Sequence, residues 1–247
     1  MLVRYDMVSA NFFCGKKELL RMSFVLFCVI LLCCNYNNVD VPVSTKSSVN
    51  TDNILSIKKA IPLLRNGDLV TRSDDDFESL SLQNFSTKDR TYSHSGLAFL
   101  EGGSFYVYHS MAGTENPDGH FRREPFDSFV SPAKKTGFGI FRYQLSLNEI
   151  EALHTLYKKY YEEKTPFDKS FNLISDDSMY CSEIIYKSLK RVTNNRIILP
   201  VSVLTNFKPK LPGLLTKNIH IKRFEYIGLD DLYMNSFCKA VVQIHYQ

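Results

Sequence analysis

The chain has 247 residues, 44% of them apolar and 23% charged, an ordinary globular balance that supplies one full core and hardly two large ones. Lysine and arginine exceed aspartate and glutamate by 30 to 26, and neither sign gathers into a long block, which argues against nucleic acid as a partner. A single folded body is expected.

The first residues differ from the rest. Lys16, Lys17 and Arg21 precede an uncharged apolar run, Met22 to Cys34, and the polar stretch Asn35 to Asp40 follows. That is the order of a secretory signal. The run falls short of the ~20 residues that a membrane span needs, so residues 1–34 read as a signal peptide or lipoprotein signal and the body as exported to the cell envelope. Its end, Leu31-Leu32-Cys33-Cys34, resembles a bacterial lipoprotein signal whose cysteine carries lipid after cleavage, which marks Cys34 as the anchor. Cys33 departs from that signal, which has Gly, Ala or Ser there. Plain secretion and an uncleaved anchor are the alternatives, and Met7 and Met22 are alternative starts. With Cys14, Cys28, Cys33 and Cys34 in this segment, the body keeps only Cys181 and Cys238, too few for a disulfide framework or a CxxC metal site.

Residues 35–52 are rich in Ser and Asn, lack periodicity and read as a flexible linker, with residues 53–247 as the folded domain. A short helix is expected over Ile54 to Ala60, then Gly67-Asp68 leading into a strand, Leu69 to Arg72, with an acidic turn behind it. Two stronger strands follow, His94 to Leu100 and Phe105 to Ser110. The paired glycines between them, Gly102-Gly103, accept the positive φ of a hairpin turn. Phe138 to Tyr143 reads as a third strand. Ser146 caps a helix to about Glu163, with Ile150, Leu153, Leu156, Tyr157 and Tyr160 on one face. Asp176, Asp177 and Ser178 offer caps for a helix from Met179 to Arg191, whose first turn holds Cys181. Ile219 to Tyr226 and Lys239 to His245 alternate like strands, and the whole reads as α+β.

A cysteine is a nucleophile as its thiolate, which the first turn of a helix favours. It also needs a base, usually histidine, oriented by a third group. His94 and His109, one on each strand of the hairpin, come within ~5–8 Å by cross-strand geometry, so one can orient the other. Read singly, Cys181 is as well a packed core cysteine and His109 a half-exposed strand residue. His120, His154, His220 and His245 lack metal-site spacing, and neither GxxxxGK[ST] nor GxGxxG occurs, so neither metal nor cofactor is expected.

With these residues in hand, the chain resembles the permuted branch of the NlpC/P60 papain-like superfamily, the YiiX/YebB-like group, over about residues 60–205. The matching pieces are Gly67-Asp68-Leu69-Val70, Tyr92-Ser93-His94-Ser95-Gly96, Tyr106-Val107-Tyr108-His109, Pro166-Phe167-Asp168 and the stretch Asp176 to Leu189 around Cys181. The resemblance implies a circularly permuted papain-like fold, an antiparallel sheet packed on helices, without cofactor. It also implies Cys181 as nucleophile, His94 as general base and acid, and His109 as the third catalytic residue, where relatives often carry Glu. Ser182 and Glu183 read as structural groups, and Asp68 as fixing the turn before the first strand. The Cys181 N–H, with a donor from Tyr92 or Tyr180, is the candidate oxyanion hole.

Three functions follow as alternatives. The first is a cysteine hydrolase cleaving an amide in a peptidoglycan peptide or an acyl-amide lipid, with acyl transfer as a variant and the membrane reached through the signal or lipid anchor. The second is an inactive binding module for wall peptides or lipids. The third is a structural lipoprotein with Cys181 and Cys238 disulfide-bonded.

Overall fold

In this computed structural model, which describes residues 50–74, 83, 85–133, 135–171, 173–207 and 221–247, the period-2 alternation of the strands sets the layers. The elements run α1 (Thr51–Ala60), β1 (Asp68–Asp74), β2 (His94–Glu101), β3 (Ser104–His109), β4 (Arg122–Pro125), α2 (Phe126–Phe129), β5 (Lys135–Tyr143), α3 (Leu147–Glu162), α4 (Cys181–Val192), β6 (Ser202–Phe207), β7 (Ile221–Tyr226) and β8 (Cys238–His245). Six strands form one sheet in the order β4-β3-β2-β1-β5-β8, with every neighbouring pair antiparallel. β6 and β7 pair as a separate antiparallel ribbon.

Successive side chains on a strand face opposite ways. Leu69, Leu97, Phe99 and Tyr108 therefore share one face of the sheet, packed with Leu153 and Tyr157 of α3 and Ile184, Ile185 and Leu189 of α4. Val70, Ala98, Val107 and Ile140 share the other, packed with Ile57 and Ala60 of α1 and Phe126 and Phe129 of α2. Full burial of a Leu or Phe of this kind stabilises by ~1.5–3 kcal/mol, so the two layers fix β1 and β2 at the centre. β1 is buried along its whole length.

The local signals explain the element ends. Gly102 and Gly103 both take positive φ, 57° and 85°, so the β2–β3 connection is the tight turn that two glycines permit. Ser146 and Glu149 form a reciprocal capping box at the start of α3. Asp68 accepts from the Arg65 N–H at 2.8 Å and is gripped twice by Arg142 at 2.7 Å, which fixes the turn into β1.

Several expectations need correction. α4 begins at Cys181 rather than Met179, and Asp176, Asp177 and Ser178 do not cap it. Glu183 does, reaching back three residues to accept from the Tyr180 N–H at 3.1 Å. Of the two C-terminal strands, β8 joins the main sheet beside β5, whereas β7 pairs with β6 outside it. The strand β4 and the short helix α2 had no expectation. The signal (1–34), Cys34, most of the linker (35–49), most of the acidic turn, Ile219 and His220 lie outside the described residues. Among the described residues no helix is long and apolar enough to cross a membrane.

Candidate active site

His94 opens β2 and His109 closes β3, so the hairpin brings both rings to one end of the sheet. His94 Nε2 lies 2.8 Å from His109 Nδ1, with the rings nearly perpendicular. Gly96 makes this approach feasible. A Cβ there would meet the Tyr108 carbonyl oxygen and a Val107 methyl at 2.6 Å and the Cβ of His109 at 3.0 Å.

The other nitrogen of His109, Nε2, lies 2.7 Å from Glu124 Oε1. This carboxylate comes from β4, on the far side of β3, and was absent from the sequence-based set. It fixes the tautomers. A carboxylate only accepts, so His109 Nε2 donates to it and His109 Nδ1, in the neutral ring, accepts. His94 Nε2 is then the donor, and His94 Nδ1 is left with the lone pair of a base. His94 Nδ1 makes no hydrogen bond among the described residues.

Arg72 of β1 pairs directly with His94 across the strands and is almost wholly buried. Its Nε lies 3.2 Å from Asp74, its Nη1 3.7 Å from Glu124, and its guanidinium stacks 4.6 Å over the Phe129 ring. Lys135 adds a second cation, 3.3 Å from Asp74. Burial first, then the charge of Arg72, neighbouring His109 and Lys135, hold the His94 pKa well below the usual imidazole range. Burial also lowers that of His109, against the pull of Glu124. For Glu124 burial works the other way, but the hydrogen bond from His109 and the charges around it keep the carboxyl below its ordinary value. The resting state is therefore neutral imidazole on ionised carboxylate.

Cys181 is the first residue of α4, buried at 7% exposure. The helix-start position was expected to depress its pKa, and the outcome is the reverse. Burial pushes the thiol up to about 11, outweighing the N–H groups of Ser182, Cys181 and Ser95 and the Ser95 hydroxyl, all of which favour the thiolate. Ser95 is the next residue after His94 and faces the opposite side of β2: the thiol lies at Ser95 on the α4 side of the sheet, whereas the rings of His94 and His109 pack against Phe129 of α2. Among the described residues no hydrogen bond joins the thiol to His94.

The neighbours of Cys181 divide by role. The Ser182 hydroxyl donates to the Ile227 carbonyl at 2.8 Å, and Glu183 pairs with Lys187 at 2.8 Å besides capping α4, so both are structural. Tyr180 stands against the thiol, but its hydroxyl accepts from the Ile227 N–H at 2.9 Å. Tyr92 faces elsewhere. Its hydroxyl accepts from Gln243 at 3.2 Å and its ring packs edge-on against Phe141 and Tyr233 in the core. Of the oxyanion candidates, the backbone N–H groups at the sulfur are the best placed. Cys181 and Cys238 are both free thiols, which removes the disulfide-bonded reading.

No protein-family model matches the chain. It is 25% identical over 150 residues to the Escherichia coli K12 protein described as uncharacterized protein YiiX, covering 58% of this chain and 68% of that one. A crystal structure of YiiX from Escherichia coli O157:H7 superposes with a TM-score of 0.58 at 20% identity, over 73% of this chain and 98% of that one. The chain is homologous to YiiX. The solved YiiX is titled a metalloprotein. Among the described residues here, no group of three or more His, Cys, Asp or Glu is arranged to hold a metal ion. Both nitrogens of His109 are already engaged, so the site residues do not fit a metal, and none enters the chemistry below.

Proposed function

We propose that this chain is a cysteine hydrolase of the cell envelope, of the permuted papain-like, NlpC/P60-related type, acting on an amide through an acyl-enzyme on Cys181. The observation that carries the reading is the relay from Glu124 through His109 to His94, an ion contact of 2.7 Å followed by a hydrogen bond of 2.8 Å, which leaves a lone pair on the base. His94 Nδ1 takes the thiol proton as the sulfur attacks the carbonyl carbon, and the carbonyl oxygen, now an anion, faces the N–H groups around the sulfur. His94 returns the proton to the leaving amine as the C–N bond breaks, giving a thioester. Water then loses a proton to His94 and attacks the thioester, and the proton goes back to sulfur as the acid leaves. An acceptor other than water would make the same cycle an acyl transfer. His109 and Glu124 are positioning residues in this scheme, since neither meets the reacting atoms.

The high thiol pKa and depressed imidazole pKa suit proton removal concerted with attack, rather than a standing thiolate–imidazolium pair. Export and anchoring through Cys34 rest on the residue order at the N-terminus. The substrates proposed are a peptidoglycan peptide or an acyl-amide lipid. The test is incubation of the protein, and of Cys181→Ala and His94→Ala, with purified peptidoglycan and with N-acylated lipids, followed by identification of products. Release of a product by the native chain and by neither variant supports the reading. No product from either substrate, with binding intact in all three proteins, sinks it in favour of a binding module.

A further inference from the structure

Residues 51–66, which hold α1 and the 3₁₀ turn Ile61–Leu63 that follows it, carry apolar side chains on both sides. Ile57, Ala60 and Leu64 recur at helical spacing and pack inward, in the layer with Phe126 and Phe129 of α2. An ordinary surface helix turns charged and polar residues outward. Here Ile54, Leu55, Ile61 and Leu63 stand outward, between 38% and 45% exposed. Leu100 of β2 is also exposed, and its N–H donates to Asn66 Oδ1 at 2.6 Å, three residues past Leu63. Apolar residues scattered singly over a surface need no explanation, whereas four within the ten residues from Ile54 to Leu63 form a patch.

Three exposed cations, Lys58, Lys59 and Arg65, are interleaved with these side chains or follow them, against one carboxylate, Asp52, in the same segment. Asp68, just beyond, is buried and held by Arg142. The long stems of lysine and arginine let neighbouring apolar groups sink into lipid while the charges stay among the headgroups. A segment of this composition suits the interface of an anionic bilayer. The tether favours the same occupant. Sixteen residues separate Cys34 from Thr51, a reach of at most ~58 Å, and α1 is the first described element after them. A chain anchored at Cys34 therefore presents α1 to the membrane at high effective concentration, so that a small patch suffices.

We infer that α1 and the turn after it are a membrane-docking surface, on which Ile54, Leu55, Ile61 and Leu63 enter the interface of an anionic bilayer while Lys58, Lys59 and Arg65 hold its headgroups. The inference rests on the anchoring reading at Cys34 and adds a second contact to it, which turns the α1–α2 layer of the folded body toward the lipid.

The chain has no tryptophan, so a single one reports its own surroundings. The test uses the full chain carrying Leu55→Trp or, as the comparison, Ile174→Trp. Ile174 is highly exposed beside Ser175, whose carbonyl accepts from Lys187 of α4, on the opposite side of the sheet. Both are reconstituted with vesicles of phosphatidylethanolamine and phosphatidylglycerol, with and without brominated acyl chains, which quench an indole at bilayer depth. Emission of Leu55→Trp is expected to shift to the blue and to fall severalfold with brominated lipid, and that of Ile174→Trp to stay unchanged. Adding Lys58→Glu and Lys59→Glu to the Leu55→Trp chain should relieve the quenching, as should phosphatidylcholine in place of phosphatidylglycerol. Sedimentation with the vesicles, read in parallel, separates the two claims. Protein that sediments with them while its two reporters are quenched equally, or not at all, overturns the docking surface and leaves the anchor standing. Protein that does not sediment overturns both. Blue emission that needs no lipid and grows with protein concentration assigns the patch to a second copy of this chain and overturns the inference as well. Leu63→Trp, at the far end of the patch, decides the matter should Leu55→Trp not fold.

Discussion

Glu124 Oε1 stands 2.7 Å from Nε2 of His109, on the edge strand β4 that pairs with β3. The carboxylate determines which nitrogen of His109 carries the proton, and through it which nitrogen of His94 is basic. Glu124→Ala is therefore expected to lower kcat by about a hundredfold with little change in KM, within the range of acid–base contributions. Glu124→Gln keeps an oxygen acceptor and should recover part of the loss, an effect that a purely structural role would not give. The orphaned His109 N–H costs stability toward the lower end of ~1–3 kcal/mol, because Glu124 is about a third exposed and water enters. Steady-state kinetics and thermal melts of both variants check this; equal kcat for all three proteins would contradict it.

The pH profile follows from the same charges. A protonated imidazole cannot accept the thiol proton, and burial with Arg72, His109 and Lys135 keeps His94 neutral to well below the usual imidazole range. The acid limb of kcat/KM should then lie below pH 6.5. Its sign in stability is fixed too. With the folded pKa below the unfolded one, the unfolded chain takes up the proton first, so this stabilisation is complete above pH 6.5 and is lost as pH falls. At the alkaline end, alkylation of Cys181 by iodoacetamide should keep rising through pH 8.5 toward a midpoint near 11. A plateau reached at pH 8.5 would show an ordinary, solvated thiol and contradict the burial argument.

Gly96 joins fold to site. Any Cβ at this position meets backbone as well as side chain on β3, and the Tyr108 carbonyl at 2.6 Å cannot swing aside as a flexible side chain would. Gly96→Ala is expected to destabilise by ~1–3 kcal/mol and to push β3, with His109, away from His94. Activity should fall further than the melting temperature alone accounts for. Unchanged melting and unchanged turnover would show that β3 tolerates the displacement.

How much of this was legible in the sequence depends on how local each signal is. The β2–β3 hairpin, with its paired glycines, and α3, with its Ser146–Glu149 box, carry their instructions within a few residues and were readable. The pairing of His94 with His109 followed from the hairpin. β4 was not readable: its four residues, RREP, show no alternation and end in proline, which an edge strand accepts because its outer N–H groups need no partner. Glu124 was hidden with it. The aromatic cluster around Tyr180 draws Phe85, Phe171 and Phe224 from three distant segments, and no periodicity connects them. The thiol pKa failed for a different reason. Helix position can be read from sequence, whereas the burial that outweighs it cannot.

Glu183 offers a stability test separate from catalysis. Its carboxylate is fully buried beside α4, where it accepts from the Tyr180 N–H and pairs with Lys187. Burial nonetheless raises its pKa to about 7, against the pull of Lys187 and with Asp168 adding a like charge. A carboxyl whose folded pKa lies above its unfolded value holds its proton more tightly when folded. Its contribution is thus complete below about pH 4.5 and is lost as pH rises through 7. The displacement corresponds to about 3 kcal/mol across that window, an order of magnitude only. Glu183→Gln keeps an oxygen for the Tyr180 N–H and removes the ionisation, while Lys187 retains Asp176 at 2.7 Å and the Ser175 carbonyl at 2.7 Å. The variant should therefore equal or exceed the native chain in stability near pH 8 and show a flatter dependence between pH 4.5 and 7. Urea unfolding at several pH values measures this directly, and a native chain that grows more stable across that window, relative to the variant, would show that the Lys187 pair outweighs burial.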